Sequence, residues 1–455
     1  MTMKMSENPA SSRAAAAGIV QRLRSAGHEA LFVGGCVRDI LRGIEPEDYD
    51  IATSARPEEV QTLFPHTVPV GVKFGVLLVV EGGRHYEVAT FRTETDYEDG
   101  RRPSQVKFTT AEEDVRRRDF TVNGLLMDPV TGEIIDYVGG RADLSRRLIR
   151  TIGDPELRFA EDHLRMLRAV RFAANLDFTM DPSIFSAIQR HPAAIRHISS
   201  ERIREELTKI LTGGAARRGM ELLAETGLLA EILPEVDTLR GITQPERFHP
   251  EGDVWEHTLR MLTDMTMDAD SRVDARLAWA VLLHDVGKAL TRTEDDSGIH
   301  FYGHVRRGGE IAESILRRLK FSVAEMETIL ALIHEHMIFM NVKEMRPNRL
   351  KRFLRLPDFP LHLELHRLDC LGSHGMLDNY SYCQEKMTEL TQEVLHPPRL
   401  LSGDDLIAMG LSPGPVFKEI LRTVEDAQLN NEISTKEDAR KLAAEHFLRL
   451  KKIKT

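Results

Sequence analysis

Residues 34–53 read GGCVRDILRGIEPEDYDIAT and carry two aspartates, Asp48 and Asp50, one residue apart. They begin a predicted strand, in which side chains two residues apart point to the same face. Two carboxylates on one face suit Mg²⁺, which takes one or two protein carboxylates and completes its shell with substrate phosphates. An isolated D-x-D pair also occurs in ordinary acidic turns, so the surrounding residues must decide between the two interpretations.

The residues around this pair favour a phosphate-binding site. Gly34 and Gly35 let a backbone approach a phosphate closely, and Arg38 can hold that phosphate. Glu87 stands among apolar residues in YEVAT, on a later predicted strand that could lie beside the first. A third carboxylate would complete a two-metal site, in which one ion activates a hydroxyl and the other clamps a triphosphate.

The hydrophobic pattern predicts an α+β chain with a mixed sheet in its first 150 residues. The runs ALFVGG, DYDIAT, GVLLVV and HYEVATFR are typical of strands, and RPEEVQTLF is typical of a helix. The stretch 96–105, DYEDGRRPSQ, is polar and rich in turn formers, which predicts a loop. From about residue 151 apolar residues recur at helical spacing, so the remainder is predicted to be almost entirely helical.

Composition limits the classes of protein to be considered. A chain of 455 residues suggests two to four domains. The net charge of −10 argues against a general nucleic-acid binder, although 116–118 and 447–455 are local basic clusters. Three cysteines are too few for a disulfide framework, which predicts a cytoplasmic location. No apolar run approaches 18 residues and no signal-peptide pattern is present, so no membrane partner is expected.

Four motifs in order resemble the class II tRNA nucleotidyltransferase and poly(A) polymerase family of the DNA polymerase β-like superfamily. They cover roughly residues 25–240 and comprise the opening stretch, RRDFTVN (117–123), EDHLRMLRAVRF (161–172) and SERIREEL (200–207). The resemblance implies a nucleotidyltransferase head in which Asp48, Asp50 and Glu87 are catalytic and the two aspartates hold Mg²⁺.

The same resemblance implies the residues that bind the nucleotide. Arg118, Asp119 and Asn123 would surround the ribose and triphosphate, and an acceptor there would explain a preference for NTP over dNTP. One departure is Gly124, where the family usually has alanine. The other nucleotide-binding residues implied by the resemblance are Gly35, Arg38, Asp162, Arg165, Arg168 and Arg171.

The motif at 161–172 resembles an amino-acid template that reads the edge of the base. Asp162 would accept from the amino group shared by cytosine and adenine, and Arg165 would donate to a ring nitrogen or carbonyl. Uracil and guanine present the opposite pattern and would leave buried groups unpaired. The motif is predicted to form one helix, on which Arg168 and Arg171 remain available for phosphates. A plain solvated charge stripe is the alternative.

The histidine-rich region after residue 246 resembles the HD phosphohydrolase superfamily. The resemblance rests on LLHDVGK, on His257 in VWEHTL and on Asp369 in RLDCLG. It implies four metal ligands, with His304 and His334 as the extra ligands of two-metal members and His336 as the less favoured candidate. Imidazole suits Mn, Ni, Co, Fe or Zn ions, and the sequence does not choose among them. The four ligands are His257, His284, Asp285 and Asp369.

Four domains follow from these motifs: a nucleotidyltransferase head (1–150), a helical neck and body that carries the template and binds RNA (151–245), an HD phosphohydrolase domain (246–390) and a helical tail (391–455). The resemblance implies template-independent addition of C and A residues from CTP and ATP to the 3′ end of tRNA. The segment 91–103, FRTETDYEDGRRP, resembles the flexible loop of relatives that add the terminal adenosine. The sequence sets no oligomeric state.

Three alternatives to this function remain open. The first is an A-adding enzyme or poly(A) polymerase on the same fold. The second is an RNA phosphohydrolase whose N-terminal half only binds RNA. The third is a non-catalytic RNA-binding module, and the intact acids at both sites count against it.

Overall fold

The computed structural model describes residues 9–71, 75–98, 102–247, 249–265, 273–390 and 397–453. The chain forms two compact units. Unit 1 comprises residues 1–237 with 318–320, and unit 2 comprises residues 238–317 with 321–455. No helix in the described ranges is both long enough and apolar enough to cross a membrane.

A mixed seven-stranded sheet organises the first part of unit 1. Its strand order is β3-β4-β5-β2-β1-β8-β9, with β2 and β5 parallel and the other neighbours antiparallel. The predicted mixed sheet is therefore confirmed. The seven strands of the sheet are β1 Ala30–Val33, β2 Ile51–Thr53, β3 Thr67–Gly71, β4 Val76–Glu81, β5 Arg84–Thr90, β8 Leu125–Met127 and β9 Ile134–Asp136.

Both faces of the interior strand β1 are covered. Phe32 packs with Ile51, Leu77 and Val88 in one core cluster, which the apolar side of an N-terminal helix completes. Leu31 and Val33 point to the opposite face and belong to a second cluster. The helices of this part are α1 Pro9–Ser25, α2 Gly35–Leu41, α3 Pro57–Leu63, α4 Ala111–Arg116 and α5 Gly140–Ser145.

The stretch predicted as a loop at 96–105 is largely strand. β6 (Arg92–Glu98) and β7 (Arg102–Phe108) pair antiparallel, and residues 99–101 between them lie outside the described part. The loop prediction is therefore wrong for the residues on either side. Backbone pairing holds this hairpin without the alternation of apolar and polar residues from which strands are predicted.

The rest of unit 1 is mostly helical, as predicted. A two-stranded parallel pair, β10 Leu148–Ile149 and β11 Thr179–Met180, and 3-10 turns at Thr121–Asn123 and Pro192–His197 interrupt the helices. These helices are α6 Pro155–Glu161, α7 Leu164–Asn175, α8 Pro182–Arg190, α9 Ser200–Thr212, α10 Ala216–Glu225, α11 Leu228–Ile232 and α12 Pro234–Asp237.

In the residues that the structure describes, the regular elements of unit 2 are helices and one short hairpin, β12 Thr293–Asp295 with β13 Gly298–His300. Two of its apolar clusters centre on Phe339 with Phe353 and on Leu406 with Ile420. A 3-10 segment spans His336–Glu344. The helices are α13 Val254–Asp264, α14 Ala275–Leu283, α15 Lys288–Thr291, α16 His304–Arg318, α17 Val323–Glu335, α18 Pro347–Leu354, α19 Phe359–Gly372, α20 Asp378–Glu389, α21 Gly403–Ala408, α22 Pro415–Leu429 and α23 Lys436–Ile453.

Candidate functional site

A cleft of about 450 Å³ in unit 1 brings together most of the residues that the motifs singled out. Asp50 enters it immediately before β2, half-buried, whereas Asp48 is exposed. Burial, reinforced by the charges of Glu87 and Asp48, raises the pKa of Asp50 to about 6. The cleft is lined by Gly34, Gly35, Arg38, Asp50, Arg117, Arg118, Asp119, Asn123, Asp162, Arg165, Arg168 and Phe172.

The sheet register places Glu87 beside Asp50. β2 and β5 run parallel with Ile51 opposite Val88, so the residues before them, Asp50 and Glu87, are neighbours across the two strands. Their electrostatic coupling agrees with this placement. Neighbouring carboxylates of this kind can hold divalent cations, and of the three acids Asp50 is the one that lines the cleft.

Asp114 on α4 holds two arginines at the cleft. Its carboxylate is buried and accepts from Arg117 at 2.7 Å and from Arg118 at 3.1 Å. Burial disfavours the charged carboxylate, but the charges of Arg118 and Arg117 outweigh it and lower the pKa of Asp114. Gly34 has a φ of 75°, and a Cβ there would lie 3.4 Å from a guanidinium nitrogen of Arg118. Backbone and cation therefore lie close together, as a phosphate site requires.

Asp119 ties the RRDFTVN motif to α7. One carboxylate oxygen accepts from the amide of Asn123 at 3.2 Å, and the other accepts from Arg168 at 2.8 Å and 2.6 Å. Asn123 in turn accepts from Arg38 at 2.7 Å. Although burial raises the pKa of Asp119, the charge of Arg168 lowers it below the usual value. Asp119 thus orients a cation as well as lining the cleft.

The template motif is not one helix, which corrects the prediction. α6 ends at Glu161, Asp162 has an extended backbone (φ −147°), and α7 begins at Leu164. The Oδ1 atom of Asp162 accepts from the backbone N–H of Leu164 at 3.1 Å. Arg165 still reaches back to Glu161 across the break, at 2.5 Å. The break turns both Asp162 and Arg165 toward the cleft.

Arg171 differs from its expected role as a phosphate ligand. It is not among the cleft-lining residues, and its Nε donates to Glu206 at 2.6 Å. Its guanidinium also lies 4.1 Å from the ring centre of Phe172. Arg171 therefore fixes α7 against α9, while Arg168 remains at the cleft.

Unit 2 gathers a second cluster from helices that are far apart in sequence. His257, His284 and Asp369 form one group whose ligand atoms lie within 4.8 Å of one another, and Asp285, His304 and His336 form another. The Nε2 atom of His257 lies 3.2 Å from Asp369. Asp285 lies 3.2 Å from His284 and 3.7 Å from His304, so it links the two groups.

Each histidine of this cluster is anchored through Nδ1. The Nδ1 atoms of His284, His304 and His336 contact the carbonyls of Val281, Phe301 and Ile333, and that of His257 contacts Glu251. Each ring therefore directs Nε2 inward as a ligand atom. The Nε2 atoms of His257, His284 and His304 are buried without a hydrogen-bond partner in the described residues. Orphaned imidazole nitrogens facing carboxylates fit divalent transition metals.

His334 is not in this cluster, which corrects the choice between the two histidines of HEH. It is exposed on α17, whereas His336 is buried at the start of the next 3-10 segment. Glu251 was not predicted from the sequence: its side chain is buried and accepts from His249 at 2.8 Å and from His257 at 2.9 Å. A lone acid in a loop with proline gave no sequence signal for this contact.

A largely apolar cavity of about 490 Å³ opens beside the histidine cluster. Lys288 lines it and lies 2.7 Å from Asp285, next to the ring of Phe301. Met337, Met340 and Met376 form part of its apolar wall. The cavity therefore combines one cation, candidate metal ligands and room for an apolar group.

Comparison with known proteins decides the family. A CCA-adding enzyme of Bacillus mycoides (strain KBAB4) is 32% identical over 433 residues, which cover 93% of this chain and 96% of the relative. The chain belongs to the class II CCA-adding enzyme family. The model of the poly A polymerase head domain matches residues 30–150, that of the "Probable RNA and SrmB- binding site of polymerase A" matches 177–239, and that of the HD domain matches 254–364.

Two other CCA-adding enzymes strengthen the comparison. That of Geobacillus stearothermophilus is 52% identical over 216 residues, 47% of this chain; the match spans 53% of that relative, about half its length. The crystal structure of the Bacillus stearothermophilus CCA-adding enzyme in complex with CTP is 32% identical, with a TM-score of 0.71. That likeness covers 98% of this chain and 100% of the other.

Packing accounts for a glycine at position 124, where the resemblance implied alanine. A Cβ at Gly124 would lie 2.9 Å from Val138, 3.0 Å from Ile152 and 3.2 Å from Val115. These three side chains occupy the space that an alanine methyl group would need. Glycine at position 124 therefore fits the space that these three side chains leave.

Proposed function

We propose that this protein adds C and A residues from CTP and ATP to the 3′ end of tRNA without a nucleic-acid template. The observation that supports it most directly is the cleft shared by Asp50, the RRDFTVN motif and the pair Asp162 and Arg165. Family membership supports the same reaction. The three cysteines are free and buried, which is consistent with a cytoplasmic location.

In this proposal the terminal 3′-hydroxyl of tRNA attacks the α-phosphate of the nucleotide. A new phosphodiester bond forms, the bond to the β-phosphate breaks, and pyrophosphate leaves. Asp48 and Asp50 would hold Mg²⁺, with Glu87 as the neighbouring acid. When bound, the ions supply charge neutralisation and a more acidic attacking hydroxyl.

The remaining residues position the substrates. Arg118 and Arg38 would hold phosphate oxygens, and Arg168 supports them from its pairing with Asp119. Asp162 would accept the exocyclic amino group of cytosine or adenine, and Arg165 would donate to the base. Rate enhancement then comes mainly from orientation and electrostatic stabilisation.

The test uses three tRNAs: one that lacks CCA, one that ends in C and one that ends in CC. Purified protein with labelled CTP and ATP should extend each one to CCA and stop. Incorporation of A alone, with no C on the first two tRNAs, would favour an A-adding enzyme, and long A tails would favour a poly(A) polymerase. No incorporation with any of the three would contradict the proposal.

The histidine cluster supports a second activity in the same chain. The buried, orphaned Nε2 atoms favour a metal-dependent phosphohydrolase that acts on phosphate ends of RNA or on 2′,3′-cyclic phosphates. His257, His284, Asp285, His304, His336 and Asp369 would hold the metal. Protein treated with EDTA and restored with Mn, Ni, Co, Fe or Zn should hydrolyse 2′,3′-cAMP. No turnover with any of these metals would contradict the second activity.

A further inference from the structure

Arg202 on α9 binds the carboxylate of Asp162 through two hydrogen bonds. One guanidinium nitrogen donates to Oδ2 at 2.8 Å and the other to Oδ1 at 3.3 Å. The two residues are 40 positions apart in sequence, and both are partly buried, with side-chain exposures of 30% and 18%. The contact is a two-pronged arginine–carboxylate pair, the geometry that fixes a carboxylate plane best.

We propose that Arg202 is a positioning residue that sets base specificity through Asp162. The inference rests on the proposed nucleotide addition, because it concerns the carboxylate that would read the base. It assigns Arg202 no contact with the nucleotide: among the lining residues of the cleft, Asp162 is present and Arg202 is not.

The hydrogen bonds of Asp162 leave one direction for a donor. A carboxylate offers about four acceptor positions. Oδ1 accepts from the backbone N–H of Leu164 and from Arg202, and Oδ2 accepts from Arg202. Of the described hydrogen bonds, only these three reach the carboxylate, so one acceptor position remains, on Oδ2.

A single fixed acceptor selects bases by the group that they present. Cytosine and adenine carry an exocyclic amino donor, whereas uracil and guanine carry a carbonyl acceptor at the equivalent place. Facing Oδ2, the carbonyl would meet a second acceptor and both groups would lose their hydrogen bonds. This selection works only while the carboxylate cannot turn away, and Arg202 prevents that rotation.

Arg165 is held in a similar way from its own side. Its guanidinium donates to Glu161 at 2.5 Å and to the carbonyls of Arg158 and Arg117 at 3.0 and 3.2 Å. Both members of the reading pair are therefore fixed by contacts behind them. Asp162 depends for this on a different helix, α9, whereas Arg165 relies on its own motif and on the segment after α4.

The test measures the kcat/KM of CTP relative to UTP on tRNA that lacks CCA. Arg202→Ala should lower this ratio by about tenfold or more, with a raised KM for CTP, since the carboxylate gains freedom. Arg202→Lys keeps the charge but loses the two-pronged contact, so its ratio should fall less. A role in stability alone would reduce the use of both nucleotides together and leave the ratio unchanged.

Arg204→Ala is the matched control. It removes the same charge from the same helix, but two helical positions turn the side chain to another face, where it donates to the carbonyl of Lys320. Its CTP-to-UTP ratio should equal that of the wild type. An unchanged ratio in Arg202→Ala, or in Arg202→Lys if the alanine variant does not fold, overturns the proposal. Absence of C incorporation by the wild type would instead contradict the proposed function itself.

Discussion

At the scale of single residues, the buried carboxylate of Asp114 determines whether two cleft arginines stay in place. Asp114→Asn should lower the free energy of unfolding by about 2–3 kcal/mol at pH 7, because it removes the buried negative charge that both Arg117 and Arg118 contact. Nucleotide addition should fall as well, since Arg118 would move. Chemical denaturation and the incorporation assay measure the two effects.

The pH dependence of this effect has a definite sign. The folded-state pKa of Asp114 is lowered, so its contribution is complete above about pH 4, near the unfolded pKa, and is lost as the pH falls through the folded-state pKa. The stability gap between wild type and Asp114→Asn should therefore shrink in that acidic range. Glu112→Gln on the same helix removes an exposed pair with Arg116 and should change stability by less than about 0.5 kcal/mol. A gap that stays constant down to pH 3 would contradict this account.

The two histidines of HEH give a second prediction at this scale. His336→Gln should lose bound metal and hydrolysis of 2′,3′-cAMP, because His336 lies with Asp285 and His304. His334→Gln should keep both, since His334 is exposed outside the cluster. Metal content by mass spectrometry and hydrolysis after metal restoration distinguish the variants. Equal losses in both variants would be incompatible with the geometry.

At the scale of elements, local sequence predicted most helices and strands but not the break that shapes the template. Apolar residues recur at helical spacing from Phe159 to Phe172, so the pattern indicates one continuous helix. The break at Asp162 is stabilised by Arg202, 40 residues away, and by the Leu164 N–H. The spacing of apolar residues gives no information about such a distant partner. The β6–β7 hairpin was missed for a related reason, since its pairing is carried by the backbone.

The contact between α5 and the 3-10 turn Thr121–Asn123 yields a prediction about an element. A Cβ at Gly140 would overlap the backbone carbonyl of Thr121, so Gly140→Ala must displace the turn that carries Asn123. We expect a loss of about 2 kcal/mol or more in stability and a matching loss of nucleotide addition. Thermal unfolding and the incorporation assay test this.

Gly18→Ala in α1 serves as the control for this substitution. Nothing lies within 4 Å of the added Cβ, and the position is helical. The variant should be as stable as the wild type or more stable by about 0.5–1 kcal/mol, because alanine favours a helix. A stable, fully active Gly140→Ala would show that the turn tolerates displacement.

At the scale of the whole molecule, each candidate site is assembled within one compact unit from residues distant in sequence. The motifs supplied most of the cleft and most of the histidine cluster. They did not show which partners orient these residues, such as Glu206 for Arg171 and Glu251 for His257. Glu206 belongs to the motif SERIREEL and Glu251 to no motif, but in both cases the pairing is identified only when folding brings the elements together.

Because the two sites lie in different units, their activities should be separable by single substitutions. Asp48→Ala removes an exposed carboxylate, so the protein should fold normally, lose nucleotide addition by about 100-fold or more and keep 2′,3′-cAMP hydrolysis. Asp285→Asn should do the reverse, because Asp285 links both groups of the histidine cluster. His304→Gln, at a less buried position, provides a second variant if Asp285→Asn is unstable. Loss of both activities in well-folded Asp48→Ala protein would mean that hydrolysis depends on the nucleotidyltransferase cleft, and the histidine cluster would then not be an independent catalytic centre.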